Sequence, residues 1–542
     1  MLVAEIDHWG TWMNYILLVG LASACMLVAQ PAPGTGSIEG HLFNSVTGAP
    51  VRKATVELQA PHISLSADTD AEGRFQFTAL PAGSFRLSAK HPGFLDRVVR
   101  RPMAIGQDGH VTDVEIRLSP LSAVSGRILA EDGDPVGGAW VTIFKQVYRD
   151  GRKQWDRANA NTLASDSGEY RCSGLTPGRY LVEARADRAP VNSRYGGGND
   201  LPDKPQMRYV PAFYPNAAGE QAASPVEVGV GADVRDIDIH LFQLPLFHVR
   251  GTVAGVSPSS RNGVTINFSA EDGAAASSGG GSAQAGPPDY SFDGSVLPCQ
   301  CTILAYENSG GGSEAYATDS VTVAGNVTGL VLHMEPHPEV TGRISLAESG
   351  SKTKLQGVRV LLRWLNSWGY TLPQVQSDAL GKLIFPKPTP PGHYAIEVDA
   401  RSIPDGCYVK SVRLGGQEAS MDDAEIRTSS EIDIVLSNRA GTITGSVVDN
   451  DGKPLPSSRA TLIPSDTNSR PAAQTADDGG KFKFAALRPG TYKLYAWEEV
   501  DDSLWQDPEF RKKYESRAKE ITVGPNETQE LQLRAIAAEE TN

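Results

Sequence analysis

Cysteine, basic clusters and long apolar runs are all scarce in this sequence. Only five cysteines occur in 542 residues, too few for a scaffold held together by disulfides. Acidic residues outnumber basic ones, 64 to 50, and no run of lysine and arginine supplies the basic face that a nucleic-acid partner requires. The main apolar run, residues 15–29, is too short to span a bilayer comfortably. We therefore expect no nucleic-acid partner and no membrane span in the mature chain.

The signatures of common catalytic sites are also missing. The sequence contains no His-x-x-Glu zinc motif, no Gly-x-Ser-x-Gly nucleophile elbow and no phosphate-binding P-loop. We predict no catalytic residue, no cofactor and no bound metal, and expect that the protein is not an enzyme.

The first residues predict export from the cytoplasm. The apolar run 15–29 suits the core of a signal peptide covering residues 1–29, with cleavage before Gln30. Two alternatives stay open. Translation could begin at Met13 instead of Met1, because no lysine or arginine precedes the run, and Cys25 lies in an imperfect lipoprotein box. We expect a secreted or outer-envelope location, periplasmic or extracellular.

One pattern recurs along the rest of the chain. In the fifth copy, Asp477 and Gly480 form a turn, Phe482 follows on a strand, and a Pro-Gly turn leads to Tyr492. We predict that the matching aromatic residues face a core: Phe75, Tyr180, Tyr394, Phe482 and Tyr492. The third copy is degenerate, with Cys299 and Cys301 at the positions that glycine and tyrosine occupy in the other copies.

Each copy opens on a strand that contains a glycine, namely Gly40, Gly126, Gly251, Gly342 and Gly445. About seven short strands follow from each opening, and helical periodicity is rare, so the pattern predicts an all-β fold. We expect a tandem array of about five seven-stranded Greek-key β-sandwiches after the signal peptide. The expected domains are 36–120, 121–244, a degenerate 245–336, 337–439 and 440–536.

Three segments depart from this pattern. Residues 187–223 within the second domain, and 274–288 and 309–313 within the third, are rich in small and turn-forming residues and predict flexible loops. One helix is expected after Asp507, which caps it, with Pro508 at its first position and Phe510 and Tyr514 on one face.

Cys299 and Cys301 share one face of a predicted strand. A disulfide between them and a metal site are the alternatives, but a metal would need two further ligands. We favour two small, buried or free thiols.

The glycine strand, the Asp-x-x-Gly-x-Phe turn and the Leu-x-Pro-Gly-x-Tyr-x-Leu turn resemble the carboxypeptidase regulatory-like domain family. The resemblance is strong in copies one, two and five. It implies a transthyretin-like, Ig-like seven-stranded sandwich, which in metallocarboxypeptidases lies beside a separate catalytic domain. The order of features also resembles large secreted proteins of Acidobacteria.

Two functions fit these observations. The first is a non-catalytic binding or structural protein of the cell envelope, with other envelope proteins as partners. The second is a carbohydrate-binding protein for polysaccharide attachment or uptake, or an accessory subunit of an extracellular hydrolase. A sugar would need exposed aromatic faces for stacking, and the candidates for such a ligand platform are Trp368, Tyr370, Trp497 and Trp505.

Overall fold

The fold was analysed in a computed structural model. It describes residues 35–61, 63–186, 206–257, 263–270, 281–307, 315–348, 353–365, 372–385, 389–466 and 469–541. Strands make up 58% of the structure and helices 4%, which confirms the predicted all-β class. The signal peptide 1–29, with Met13, Cys25 and Gln30, lies outside the described residues, as do Trp368 and Tyr370.

Sandwich 1 pairs a three-stranded sheet, in the order β4-β1-β7, with a four-stranded sheet, β3-β2-β5-β6. Its core includes Ile38, Phe75, Phe85 and Ile116. Its strands are β1 (Gly36–Asn44), β2 (Thr55–Ala60), β3 (Ile63–Asp68), β4 (Arg74–Leu80), β5 (Gly83–Lys90), β6 (Arg97–Ile105) and β7 (His110–Leu118). One compact unit of the chain ends at Ser119, and the other covers Pro120–Asn542.

Sandwich 2 is the most elaborated. Its larger sheet has the order β10-β9-β13-β15, with β11 beside β9 and β16 beside β13, and the facing sheet is β12-β8-β17 with β18 beside β8. Its strands are β8 (Ser122–Ala130), β9 (Trp140–Arg149), β10 (Arg152–Arg157), β11 (Thr162–Leu163), β12 (Glu169–Leu175), β13 (Gly178–Arg185), β14 (Met207–Tyr209), β15 (Ala212–Phe213), β16 (Val226–Val228), β17 (Asp233–Val234), β18 (Ile239–Leu241) and β19 (Gln243–Pro245).

Sandwich 3 pairs the sheet β23-β20-β26 with β22-β21-β24-β25-β27. Its strands are β20 (Phe247–Ala254), β21 (Val264–Ala270), β22 (Ser282–Ala285), β23 (Ser291–Val296), β24 (Cys299–Glu307), β25 (Ala315–Val323), β26 (Val327–His333) and β27 (Glu335–Pro336).

Sandwich 4 pairs the sheet β31-β28-β36-β33-β34 with β30-β29-β32-β35. Its strands are β28 (Val340–Leu346), β29 (Arg359–Trp364), β30 (Val375–Gln376), β31 (Lys382–Ile384), β32 (Gly392–Val398), β33 (Tyr408–Leu414), β34 (Gln417–Ala419), β35 (Ala424–Ile426) and β36 (Ser430–Ser437).

Sandwich 5 repeats the plan of sandwich 1, with sheets β40-β37-β43 and β39-β38-β41-β42. Its strands are β37 (Gly441–Val448), β38 (Arg459–Pro464), β39 (Ala472–Thr475), β40 (Lys481–Leu487), β41 (Gly490–Trp497), β42 (Lys519–Val523) and β43 (Thr528–Arg534). The helices are α1 (Pro508–Lys512) and α2 (Ala538–Thr541), and short 3-10 turns cover Glu220–Ala222, Ala400–Ser402, Leu504–Gln506 and Glu515–Arg517. Among the described residues no helix has the length and apolar character needed to cross a membrane.

The repeated glycine lies where the first strand of each sandwich meets two neighbours. In sandwich 1, Gly40 faces Phe75 on an antiparallel strand, and β1 runs parallel to the closing strand β7 on its other side. A Cβ on Gly40 would fall 2.1 Å from the carbonyl oxygen of Val114, so no side chain fits. Asp113, just before Val114, has φ 60° at an irregularity in the β1–β7 register, which brings that carbonyl close.

The turns of the repeat are fixed by side-chain hydrogen bonds. Asp477 Oδ1 accepts from the backbone amides of Gly479 and Lys481, at 2.9 and 2.7 Å, and Asp70 and Asp378 do the same in sandwiches 1 and 4. In sandwich 2 the equivalent residue is Ser165, whose Oγ accepts from Glu169 N at 3.1 Å, and not the neighbouring Asp166.

The repeat aromatics lie in the cores, as predicted. Phe75, Tyr180, Tyr394, Phe482 and Tyr492 are all at most 5% exposed. The three tyrosines also satisfy their hydroxyl groups in one way, by donating to the backbone carbonyl four residues earlier, each at 2.5 Å. A buried hydroxyl without such a partner would cost stability, so the tyrosine also closes the Pro-Gly turn that precedes it.

The structure corrects three predictions. Cys299 and Cys301 form a disulfide, because both side chains leave the same face of β24 and their Cα atoms lie 5.3 Å apart, within bonding range. The described part of 187–223 contains β14 and β15, and Ala212 in it is fully buried. The described part of 274–288 contains β22, which pairs with β21. Within the three segments, residues 187–205, 274–280 and 309–313 lie outside the described residues.

Candidate binding site at the junction of sandwiches 2, 4 and 5

The two predicted platform residues that the structure describes are buried. Trp497 is fully buried and Trp505 is 4% exposed. The ring of Trp497 stacks on Tyr495, 5.6 Å between centroids, and its Nε1 donates to Thr461 Oγ1 at 3.0 Å. Stacking on a sugar needs an open ring face, so neither tryptophan provides a platform, and that prediction is wrong for both residues.

The reason lies in the alternation of β41. Leu494 and Ala496 enter the core between the two sheets, while Tyr495 and Trp497 point to the opposite face, into a second, small core. A single alternating strand does not reveal whether its outer face is covered. Here both faces of the sheet are buried, so the aromatic residues on each are structural.

The predicted helix forms and covers this outer face, but it ends at Lys512, so Tyr514 lies beyond it. Asp507 caps α1 by accepting from Glu509 N at 2.8 Å. Phe510 and Tyr514 both contact Trp497, with ring centroids 5.7 and 5.3 Å away. The segment 498–518 thus packs back onto the sheet from which it leaves.

The segment before the helix also meets sandwich 2. Lys145 on β9 is largely withdrawn from solvent, and its Nζ donates to Thr176 Oγ1 at 2.6 Å. Burial lowers the pKa of Lys145, and the charge of Asp501 opposes this. Burial would raise the pKa of Asp501, but hydrogen bonds from Ser503 and the charge of Lys145 outweigh it, so that pKa lies below its ordinary value. The charges of Lys145 and Asp501 thus favour each other across a contact between sandwiches 2 and 5.

A cluster of ion pairs joins three sandwiches nearby. Asp422, between β34 and β35 of sandwich 4, pairs with Arg152 of sandwich 2 and, at 3.2 Å, with Arg470 of sandwich 5. Arg470 also pairs with Asp150 of sandwich 2 at 3.2 Å. Asp150 and Gly151 both adopt positive φ, as the tight turn between β9 and β10 requires, and this turn carries the side chains to the junction.

A second contact links sandwiches 4 and 5. Arg488 occupies the turn between β40 and β41, and its guanidinium donates to the carbonyl oxygens of Val409 and Lys410 at 3.0 and 2.7 Å. The same guanidinium lies over the ring of Tyr408, 5.7 Å from its centroid, within the range of a cation–π interaction.

These contacts surround a cleft of about 410 Å³. Its charged lining consists of Arg152, Lys410, Glu418, Asp422, Arg470 and Arg488, so four cationic groups face two carboxylates although the chain as a whole is acidic. Within the described ranges, no group of three or more His, Cys, Asp or Glu side chains is placed to hold a metal ion.

No local feature of the sequence signals this site. Asp422 and Arg152 are 270 positions apart, and each lies in an ordinary polar turn. Only the Asp150-Gly151 dipeptide marks a hairpin turn in advance, and nothing local says that its neighbours reach another sandwich.

Comparisons with known proteins agree with the repeat. The carboxypeptidase regulatory-like domain family matches residues 37–119, 123–194 and 442–535, which include the first, second and fifth copies of the pattern. No curated protein matches the chain.

Among solved structures, the chain is similar to the Bacillus anthracis TIE protein, with 12% identity over 76% of this chain and 73% of that one and a TM-score of 0.17. It is also similar to a streptococcal ancillary pilin, with 13% identity over 54% of this chain and 99% of that one and a TM-score of 0.20. The Bacillus cereus major pilin subunit BcpA is 11% identical over 76% and 99%, with a TM-score of 0.14. Similarities at this level carry no argument about function.

Proposed function

We propose that this chain, three regions of which match the carboxypeptidase regulatory-like domain, is a non-catalytic binding and structural protein of the cell envelope. Its sandwiches would act as spacers, with domains at 36–120, 121–244, 245–336, 337–439 and 440–536. The observation that carries the proposal is the ion cluster at Asp422, which joins three sandwiches. Such a cluster suits a protein that holds its modules in a fixed arrangement.

The proposal places the protein outside the cytoplasm. The apolar run 15–29, which ends in small residues, supports export with cleavage before Gln30. Mass spectrometry of the native protein tests this part: a mature chain beginning at Gln30 supports release, an acylated Cys25 supports a tether, and an uncleaved chain in the cytoplasm contradicts export.

The fixed arrangement is tested by measuring a distance across the junction. Spin labels on E169C in sandwich 2 and K453C in sandwich 5, both exposed positions, report the distribution of distances between the two sandwiches. We expect a narrow distribution in the otherwise wild-type chain, because the ion pairs and Arg488 bridge three sandwiches.

Removing the central carboxylate should broaden that distribution. In Asp422→Ala, Arg152 and Arg470 lose their shared partner. The matched control is Asp423→Ala, because Asp423 pairs within sandwich 4, with His393 at 2.6 Å. Isolated surface ion pairs contribute only about 0–1 kcal/mol, so the width of the distribution is a better readout than stability. An equally narrow distribution in both variants would contradict the proposed role of the cluster.

A further inference from the structure

The cleft at the junction is lined by more cationic than anionic side chains, although the whole chain has a net negative charge. Arg152, Arg470 and Arg488 come from sandwiches 2 and 5, and Lys410 comes from β33 of sandwich 4. No single sandwich supplies the set, so the site exists only when the three are assembled. We propose that this cleft binds a sugar acid, a saccharide that carries one carboxylate and free hydroxyl groups.

The arginines are held in place and still have donors to offer. Arg488 uses one terminal nitrogen for the carbonyls of Val409 and Lys410, and Arg470 uses its two terminal nitrogens for Asp150 and Asp422. A guanidinium has five N–H donors in a fixed fork that fits a carboxylate. Because existing bonds fix these groups, a ligand would order few side chains on binding.

Lys410 is the cation that remains available. Its side chain is exposed, and within the described structure its ammonium group has no hydrogen-bond partner. Glu348 interacts with it only through charge. An ammonium in this position forms a charge-assisted hydrogen bond with a carboxylate that enters the cleft.

The two carboxylates of the lining favour a ligand whose other polar groups are uncharged hydroxyls. Glu418 and Asp422 repel a multiply charged anion such as phosphate, but they accept hydrogen bonds from neutral hydroxyl groups. Ser411 and Ser420 add hydroxyl partners of their own. A cleft of about 410 Å³ falls within the size range of small-molecule sites, so one or two sugar rings match it better than a polymer segment does.

This inference rests on the proposed binding function, and calorimetry on the full-length mature chain tests it. The probes are galacturonate, which carries one carboxylate, its neutral counterpart galactose, and inorganic phosphate. We expect galacturonate to bind, and the other two to bind at least about tenfold more weakly. Lys410→Gln should weaken galacturonate binding about tenfold, the usual contribution of one charge-assisted hydrogen bond.

The matched control is Lys382→Gln, an exposed lysine of the same sandwich that lies outside the cleft lining, and it should leave binding unchanged. Absence of galacturonate binding, equal loss in both variants, or equal binding of galactose or phosphate would each overturn the sugar-acid site. The spin-label distances distinguish failure of the sugar-acid site from failure of the proposed function. A narrow distance distribution without sugar binding overturns only the site. A broad distribution in the wild-type chain overturns the fixed junction.

Discussion

Phe482 lies directly over Gly445 on the neighbouring strand of sandwich 5. A Cβ on Gly445 would fall 2.8 Å from Cζ of the phenylalanine and 2.1 Å from the carbonyl oxygen of Leu531. The two positions are register partners, and sandwiches 1 and 3 repeat the arrangement with Gly40 and Phe75, and with Gly251 and Phe292. The glycine is thus required by the ring and the closing strand together.

Gly445→Ala should therefore destabilise sandwich 5. The added methyl group forces the ring or β43 to move, and overpacking of this kind costs about 1–3 kcal/mol. Hydrogen exchange of peptides from residues 440–535, followed by mass spectrometry in the full chain, reports the local stability. Gly479→Ala is the control, because a Cβ there meets nothing closer than 3.4 Å. Equal protection in the two variants would rule out the packing account.

Phe482→Ala should destabilise sandwich 5 more than Gly445→Ala does. The side chain is 5% exposed and packs against Phe484, with ring centroids 5.7 Å apart, so truncation leaves a cavity between the sheets. Large-to-small changes of this type cost about 3–5 kcal/mol. The same exchange experiment checks it, with the exposed neighbour in Lys483→Ala as the control. An unchanged exchange pattern in Phe482→Ala would mean that this residue is not part of the core.

Stability should fall in strongly alkaline solution. Burial, aided by the charge and hydrogen bond of Glu515, raises the pKa of Tyr495 from 10.0 to about 12, and burial also raises the pKa of Tyr170, whose hydroxyl donates to Ile237 O at 2.6 Å. Between pH 10 and 12 the unfolded chain releases these protons and the folded chain keeps them, so the stabilising contribution is complete below pH 10 and is lost as pH rises.

Denaturant titrations across this pH range measure the effect. Tyr495→Phe should lose part of the alkaline decline, because phenylalanine has no proton to release. A variant whose decline matches that of the wild type would show that Tyr495 titrates alike in both states.

The Cys299–Cys301 disulfide should contribute little to stability. It closes a loop with one intervening residue, and the stabilisation by a cross-link becomes smaller as the loop shortens, from about 3 kcal/mol for a 15-residue loop. We expect exchange in sandwich 3 to change by less than about 2 kcal/mol on reduction. Alkylation of the denatured chain checks the bond itself: without reductant both cysteines stay unmodified, whereas after reduction both react. Alkylation without reductant would show free thiols.

The sequence predicts structural features that depend on neighbouring residues within one module. It does not predict features that depend on contacts with a distant segment or a second module. The turn at Asp477, the buried Phe482 and the capped helix at Asp507 follow from local spacing and side-chain chemistry. The burial of Trp497 does not, because alternation identifies two faces of β41 without saying what covers the outer one. The ion pairs of Asp422 are even harder to predict, because the sequence around a polar turn residue does not indicate a distant partner.

The opening strand of each sandwich runs parallel to a strand from its closing end. The chain consequently enters a sandwich at one pole and leaves it at the other. Tension along the chain would pull these two strands past each other lengthwise, and in sandwich 5 that load would be shared by the seven register pairs from Thr442 to Val448. When tension acts along two paired strands, all of their hydrogen bonds carry the load and must break together. When a hairpin is pulled apart from its open end, its hydrogen bonds break one at a time. Each module is thereby built to resist stretching between its ends.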